Sequence, residues 1–162
     1  MTLNSTLLDA LSEGPFELTS RPEPVPGDLR LAWGIALMLL ILGNSRGTSA
    51  SLQKLHFLAH SVRTAATRND VERVFAGTKR GSEVVIRIEP WLNRAIAFAR
   101  ADDLIDLNKG KTVKLTSAGI AAYKALVGVN DLMIAEKAFL SRLSKAASEG
   151  AIDKILRMET LL

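Results

Sequence analysis

The most constraining stretch is ADDLIDLNKGKTVKLTSAGIAAYKALV, residues 101–127. Two short runs, LIDLN and TVKLT, alternate apolar with polar residues and are separated by a Lys-Gly-Lys turn. Strict alternation predicts strands with one inward face. Gly110 supplies the positive φ of a tight hairpin turn. The apolar spacing before and after the hairpin is helical. A basic β-hairpin set between two helices is therefore expected, and the remaining elements must pack around it.

The next constraint is LAWGIALMLLIL, Leu31–Leu42. Asp28 is a suitable N-cap and Gly43 a stop, which predicts a helix over 29–42. It is apolar all round, so it belongs in the middle of a fold or beneath a partner. Extended to Ser45 it reaches 15 uncharged residues, short of the roughly 20 needed to span a bilayer. A buried helix of a soluble protein is expected, with no membrane partner.

Upstream, Pro15, Pro22, Pro24 and Pro26 supply four of the five prolines. Their missing amides and fixed φ predict an extended linker after a short helix around STLLDALSE. Residues 1–30 set Asp9, Glu13, Glu17, Glu23 and Asp28 against Arg21 and Arg30, so a chain of net charge +4 has an acidic start and a more basic remainder. MTLNSTLLDALSEG lacks a basic stretch before an apolar one, so no signal peptide is expected and the expected location is cytoplasmic. The absence of cysteine excludes disulfides, thiolate metal sites and Cys nucleophiles, and fits a reducing compartment.

Between the apolar helix and the hairpin, Thr48 or Ser49 is expected to cap a helix through SASLQKLHFLAHSVRTA. Asn69 is expected to cap a third in NDVERVFAG. SEVVIRIEP reads as a strand with Val84, Ile86 and Ile88 on one face. Pro90 suits the first position of a helix over about 90–102. Ser117 is expected to cap the helix after the hairpin. Two more helices should close the chain, with Ile134, Phe139 and Leu143 on one side of the first. The expected organisation is an arm over 1–27, a central domain over 28–127 and a helical extension over 128–162. The expected fold class is mostly α with a small β-hairpin.

Candidate sites for catalysis are few. His56 and His60 have the i, i+4 spacing of half a zinc site, but Phe57 stands where a metalloprotease helix carries Glu, and spacing nominates no third ligand. No Ser lies in Gly-x-Ser-x-Gly. GTKRGSE lacks the Gly-Lys-Ser/Thr end of a phosphate loop. Asp102 and Asp103 sit at a helix end, where solvated turn residues are the simpler reading. No enzyme activity, metal or cofactor is expected. Basic residues are more informative: Arg63–Lys114 contains eleven, with seven acids among them.

The order of helices, strand and hairpin, with Leu115, Thr116 and Gly119 as Leu-Thr-x-x-Gly after the second strand, resembles a winged helix-turn-helix domain. In that family the Leu packs under the wing, the Thr or Ser caps the next helix, and the Gly lets it approach the sheet. Over roughly 28–126, the apolar first helix, LQKLHFLAHSVRT and the late wing resemble the small middle component of bacterial three-component anti-phage systems. Such systems pair an SMC-like ATPase with a small winged-helix subunit and an effector-like third subunit. LQKLHFLA is also similar to the KLLYFA helix of a family of antitoxin domains.

The resemblance implies a non-enzymatic subunit that bridges protein partners, an SMC-like ATPase or a neighbouring subunit, in antiviral defence. It also implies non-specific DNA contact through the wing. The helix before the wing would offer Asn93, Arg94 and Arg100 to DNA, and the wing Lys109, Lys111 and Lys114. Because AIAFARA is largely small and apolar, the same helix also suits a protein contact, with Trp91, Phe98 and Trp33 as interface candidates. The alternative is a dimeric transcription regulator, a homodimer through the last two helices that reads a symmetric site.

Overall fold

The computed structural model describes residues 27–84, 86–143 and 146–159. The expected arm and short helix within residues 1–26 lie outside them. The elements run α1 (Gly27–Gly43), β1 (Ser49–Ser51), α2 (Leu52–Val62), α3 (Ala65–Phe75), α4 (Pro90–Ala101), β2 (Ile105–Asn108), β3 (Thr112–Leu115), α5 (Ser117–Gly128), α6 (Ile134–Leu143) and α7 (Glu149–Glu159). The fold is thus mostly helical, with one small antiparallel sheet in the order β1-β3-β2.

α1 is the centre. Leu37 to Leu42 are all buried, and α2, α4, α5 and α6 pack on it. That explains the apolar run over 37–42: there each side meets another element, and each buried Leu or Ile contributes about 1.5–3 kcal/mol relative to exposure. α1 ends where Asn44 Nδ2 and Ser45 Oγ donate to the carbonyls of Leu40 and Ile41, at 2.8 and 2.9 Å. Among the described residues, no helix is long and apolar enough to cross a membrane.

The expected hairpin forms, and its register sets Ile105 opposite Leu115 and Asn108 opposite Thr112. Ile105, Val113 and Leu115 point into the core. Lys109 (φ 50°) and Gly110 (φ 65°) both occupy the left-handed region, and Lys111 N donates to Asn108 O at 3.0 Å. This is the two-residue turn whose twist matches that of the strands.

Several elements differ from expectation. The third strand comes from Ser49–Ser51, where a helix start is expected; it pairs with the outer edge of β3, Ser49 opposite Lys114 and Ser51 opposite Thr112. Ser51, rather than Thr48 or Ser49, caps α2 by accepting from Lys54 N at 3.0 Å. The expected strand over 84–88 does not join the sheet, whose order is β1-β3-β2 among the described residues. Val84 still packs into the core, but residues 86–89 run without regular structure. The inward face also slips by one: Ile88 is 74% exposed and Glu89 is buried.

α3 begins earlier than expected, capped by Thr64 rather than Asn69. Thr116, not Ser117, caps α5, its Oγ1 accepting from Gly119 N at 3.0 Å. Ile134 is exposed rather than sharing the buried side of α6 with Phe139 and Leu143, since it opens the helix at its solvent end.

Gly119 is where α5 meets the start of the hairpin. A Cβ there would overlap the carbonyl oxygen of Leu104 and lie 3.2 Å from Leu115 Cδ2. The closeness implied by the Leu-Thr-x-x-Gly pattern is therefore a backbone-to-backbone approach.

Candidate functional site

The face of interest is built by α4 and the β2–β3 hairpin, which pack against each other. Leu92, Ala95, Ile96 and Ala99 anchor α4 to the core. Their spacing turns Asn93, Arg94, Ala97, Phe98 and Arg100 to solvent. At the hairpin tip, Lys109 and Lys111 flank Gly110 and are exposed. None of Arg94, Arg100, Lys109, Lys111 and Lys114 belongs to an ion pair with a described residue. By contrast Lys79, Arg142 and Arg157 are paired with Asp70, Glu72 and Asp153.

The DNA candidates do not form one uniform set. Lys109 and Lys111 share the tip. Lys114 stands mid-sheet opposite Asp106, whose carboxylate offsets its charge towards an anion. On α4, Arg94 lies on the flank of Trp91 and Phe98, while Asn93 and Arg100 lie together on the other flank.

The interface candidates divide similarly. Phe98 is 53% exposed and Trp33 36% exposed. Trp91 is half-buried and already committed. Its ring meets Trp33 edge to face, with centroids 5.5 Å apart, and its Nε1 donates to Glu89 Oε2 at 2.9 Å.

Glu89 is the residue that sequence reasoning missed. It is only 4% exposed and immediately precedes α4. Its Oε1 accepts from His60 Nδ1 at 2.8 Å and from Arg63 NH1 at 3.2 Å. Its own N–H donates to His56 Nδ1 at 3.2 Å. The two histidines, one helical turn apart on α2, therefore both hydrogen-bond to Glu89. Among the described residues no group of three or more His, Asp or Glu side chains is placed to hold a metal ion.

The electrostatics follow from this arrangement. Burial pushes the Glu89 carboxyl up, but hydrogen bonds from His60 and Trp91 and the charges of Arg63 and His60 outweigh it, leaving it below its ordinary value. The carboxylate is ionised, so His60 must donate through Nδ1–H. Burial lowers His56, against the opposing pull of Glu89. Its Nδ1 accepts a backbone N–H, which requires the neutral ring. The cluster fixes the angle at which α4 leaves the preceding segment.

A shallow niche lies elsewhere, lined by Ile41, Asn44, Ser45, Lys54, Leu58, Leu140, Leu143 and Ala147. Its Asn44 and Ser45 side chains donate to carbonyls at the end of α1. Asp102 and Asp103 are exposed at the end of α4.

Compared with known proteins, the chain matches no family model, no curated protein and no solved structure.

Proposed function

We propose that this chain is a non-enzymatic winged-helix subunit of a multi-protein assembly, of the kind built around an SMC-like ATPase in anti-phage defence. In this reading α1, β1, α2, α4, β2 and β3 are the winged helix, α3 is an insertion, and α6 and α7 are additions. The hairpin rests on DNA phosphates without reading sequence, and the apolar side of α4 faces a protein.

One observation carries the DNA contact. Lys109 and Lys111 stand exposed at the tip of a two-residue turn, outside any ion pair with a described residue. Lys109 holds a left-handed φ that asparagine or glycine would adopt more readily. A lysine at such a position is explained by its charge. The exposed part of α4 offers two arginines and one asparagine beside Ala97 and Phe98, which favours backbone contact over base reading.

The test is fluorescence anisotropy with a labelled random duplex across a salt series, beside a Lys109→Glu/Lys111→Glu variant. Binding should weaken steeply with salt, because each neutralised phosphate releases a counterion. The variant should bind more weakly and with a shallower slope. A protein that binds no duplex at low salt would remove DNA from the proposal. A stable monomer retained by neither DNA nor the products of neighbouring genes would sink the subunit reading as well.

The alternative, a homodimeric transcription regulator, has one observation in its favour. The corner between α5 and α6 exposes Val127, Val129, Leu132 and Ile134. However, Phe139, Leu140, Leu143, Ile152 and Ile155 of α6 and α7 are buried within the chain, so those helices spend their apolar faces internally. Sedimentation showing a dimer that Ile134→Lys dissociates would favour the regulator.

A further inference from the structure

Trp33 and Trp91 are the only tryptophans of the chain, and they meet where α1 packs against α4. Steps of three and seven from Trp91 bring Arg94 and Phe98 onto the same flank of α4. Ile88 stands at the entry to the helix. Ile88, Phe98 and Trp33 are among the exposed large apolar side chains. Arg94 is exposed on that flank and Arg87 is exposed next to Ile88 in the chain, and neither belongs to an ion pair with a described residue. An apolar patch with guanidinium groups at its rim selects an occupant that brings both apolar and carboxylate side chains.

The chain carries such a segment itself. Residues 1–26 hold four carboxylates and one arginine. Within them Leu7, Leu8, Leu11, Phe16 and Leu18 are interleaved with Asp9, Glu13 and Glu17. The segment joins α1 at Gly27, six residues before Trp33, or about 9 Å along a helix. Leu18 lies nine residues before Gly27, a tether that reaches up to about 30 Å. Tethering also gives the segment an effective concentration on the order of millimolar.

We propose that residues 7–18 dock on the Trp33–Trp91–Phe98 face of their own chain, with Asp9, Glu13 and Glu17 towards Arg87 and Arg94. The occupied face includes the apolar side of α4 and Arg94, so the docked segment competes with the protein partner at Phe98 and with DNA at Arg94. The docking stands on the patch and the charges alone. The competition rests on the function proposed above.

Because both tryptophans sit at this face, acrylamide quenching of intrinsic fluorescence reports on it directly. The full chain is compared with the Asp9→Asn/Glu13→Gln/Glu17→Gln variant and with Leu7→Ser/Leu8→Ser/Phe16→Ser. Circular dichroism of each confirms the fold. Docking predicts a higher quenching constant and red-shifted emission in both variants, and in the wild type as salt is raised. Unchanged quenching in both variants overturns it and leaves the face free for a separate protein. Quenching that depends on protein concentration assigns the occupant to a second copy and overturns the intramolecular form.

The duplex assay separates the two claims. Tighter DNA binding by the Leu7→Ser/Leu8→Ser/Phe16→Ser variant, whose net charge is unchanged, supports competition. Raised quenching with no DNA binding at low salt supports the docking and removes the competition with DNA.

Discussion

Replacing Gly119 by alanine sets helix propensity against close packing. Propensity alone favours alanine by about 1 kcal/mol in a helix interior. The structure predicts the opposite sign. The new Cβ would overlap the Leu104 carbonyl oxygen, with the carbonyl carbon at 3.0 Å and Leu115 Cδ2 at 3.2 Å. Leu104 cannot retreat freely: its oxygen accepts from Thr116 N at 3.1 Å, and its N–H donates to Ala99 O at 2.8 Å. Moving α5 outward instead strains the Thr116 cap. Loss of one backbone hydrogen bond costs about 1 kcal/mol, and overpacking a further 1–3 kcal/mol or so. Against the helix gain, the net destabilisation is about 2 kcal/mol, a fall in Tm of roughly 4–8 °C for a chain of this size. Urea unfolding followed by circular dichroism measures it. Gly128→Ala is the control, because nothing lies within 4 Å of its added Cβ; it should be neutral or slightly stabilising. If Gly119→Ala unfolds at the wild-type midpoint or above, the close approach of α5 to the hairpin is refuted.

Glu89→Ala should cost about 3 kcal/mol, because it strands His60, Arg63 and the Trp91 N–H around a buried gap; an unchanged urea midpoint would contradict the cluster. The same cluster makes stability fall with acid. Glu89 and His56 both have lowered folded values, so each contributes stability that is full above its unfolded value and is lost as pH falls through the folded one. Thermal unfolding should show a decline beginning below about pH 6.5 from His56 and steepening below about pH 4.5 from Glu89, and His56→Gln should flatten the upper part. Lys109→Asn should raise stability by about 0.5–1 kcal/mol by relieving the left-handed lysine while weakening duplex binding in the anisotropy assay.

What could be read in advance was local. The apolar run of α1, Pro90 at the head of α4 and Lys-Gly between two alternating runs each signal their element within a few residues. β1 has no such signal: Ser-Ala-Ser becomes a strand only through β3, 61–65 residues later. Glu89 was hidden for a different reason. In a strand pattern it falls on the solvent face, and only the partners folded around it, two of them a helical turn apart on α2, turn it inward. A glutamate preceding Pro-Trp, in a chain whose only histidines are i, i+4, was the available hint. The cap positions erred by a residue or more because neighbouring Ser, Thr and Asn side chains are chemically equivalent until the backbone selects one. The lysines of the hairpin were legible as charges, but the offset of Lys114 by Asp106 needed the register.

The long reach of β1 also sets an order of events on the ribosome. α1 is complete by residue 43, yet α4, α5 and α6, which cover it, and β3, which pairs with β1, begin at residues 90, 117, 134 and 112. At about 5–20 residues per second, the apolar helix α1 leaves the tunnel several seconds before α5 can cover it. During that interval its leucines are the natural target of a holding chaperone. Synthesis stalled before the hairpin would leave an aggregation-prone fragment rather than a smaller folded domain.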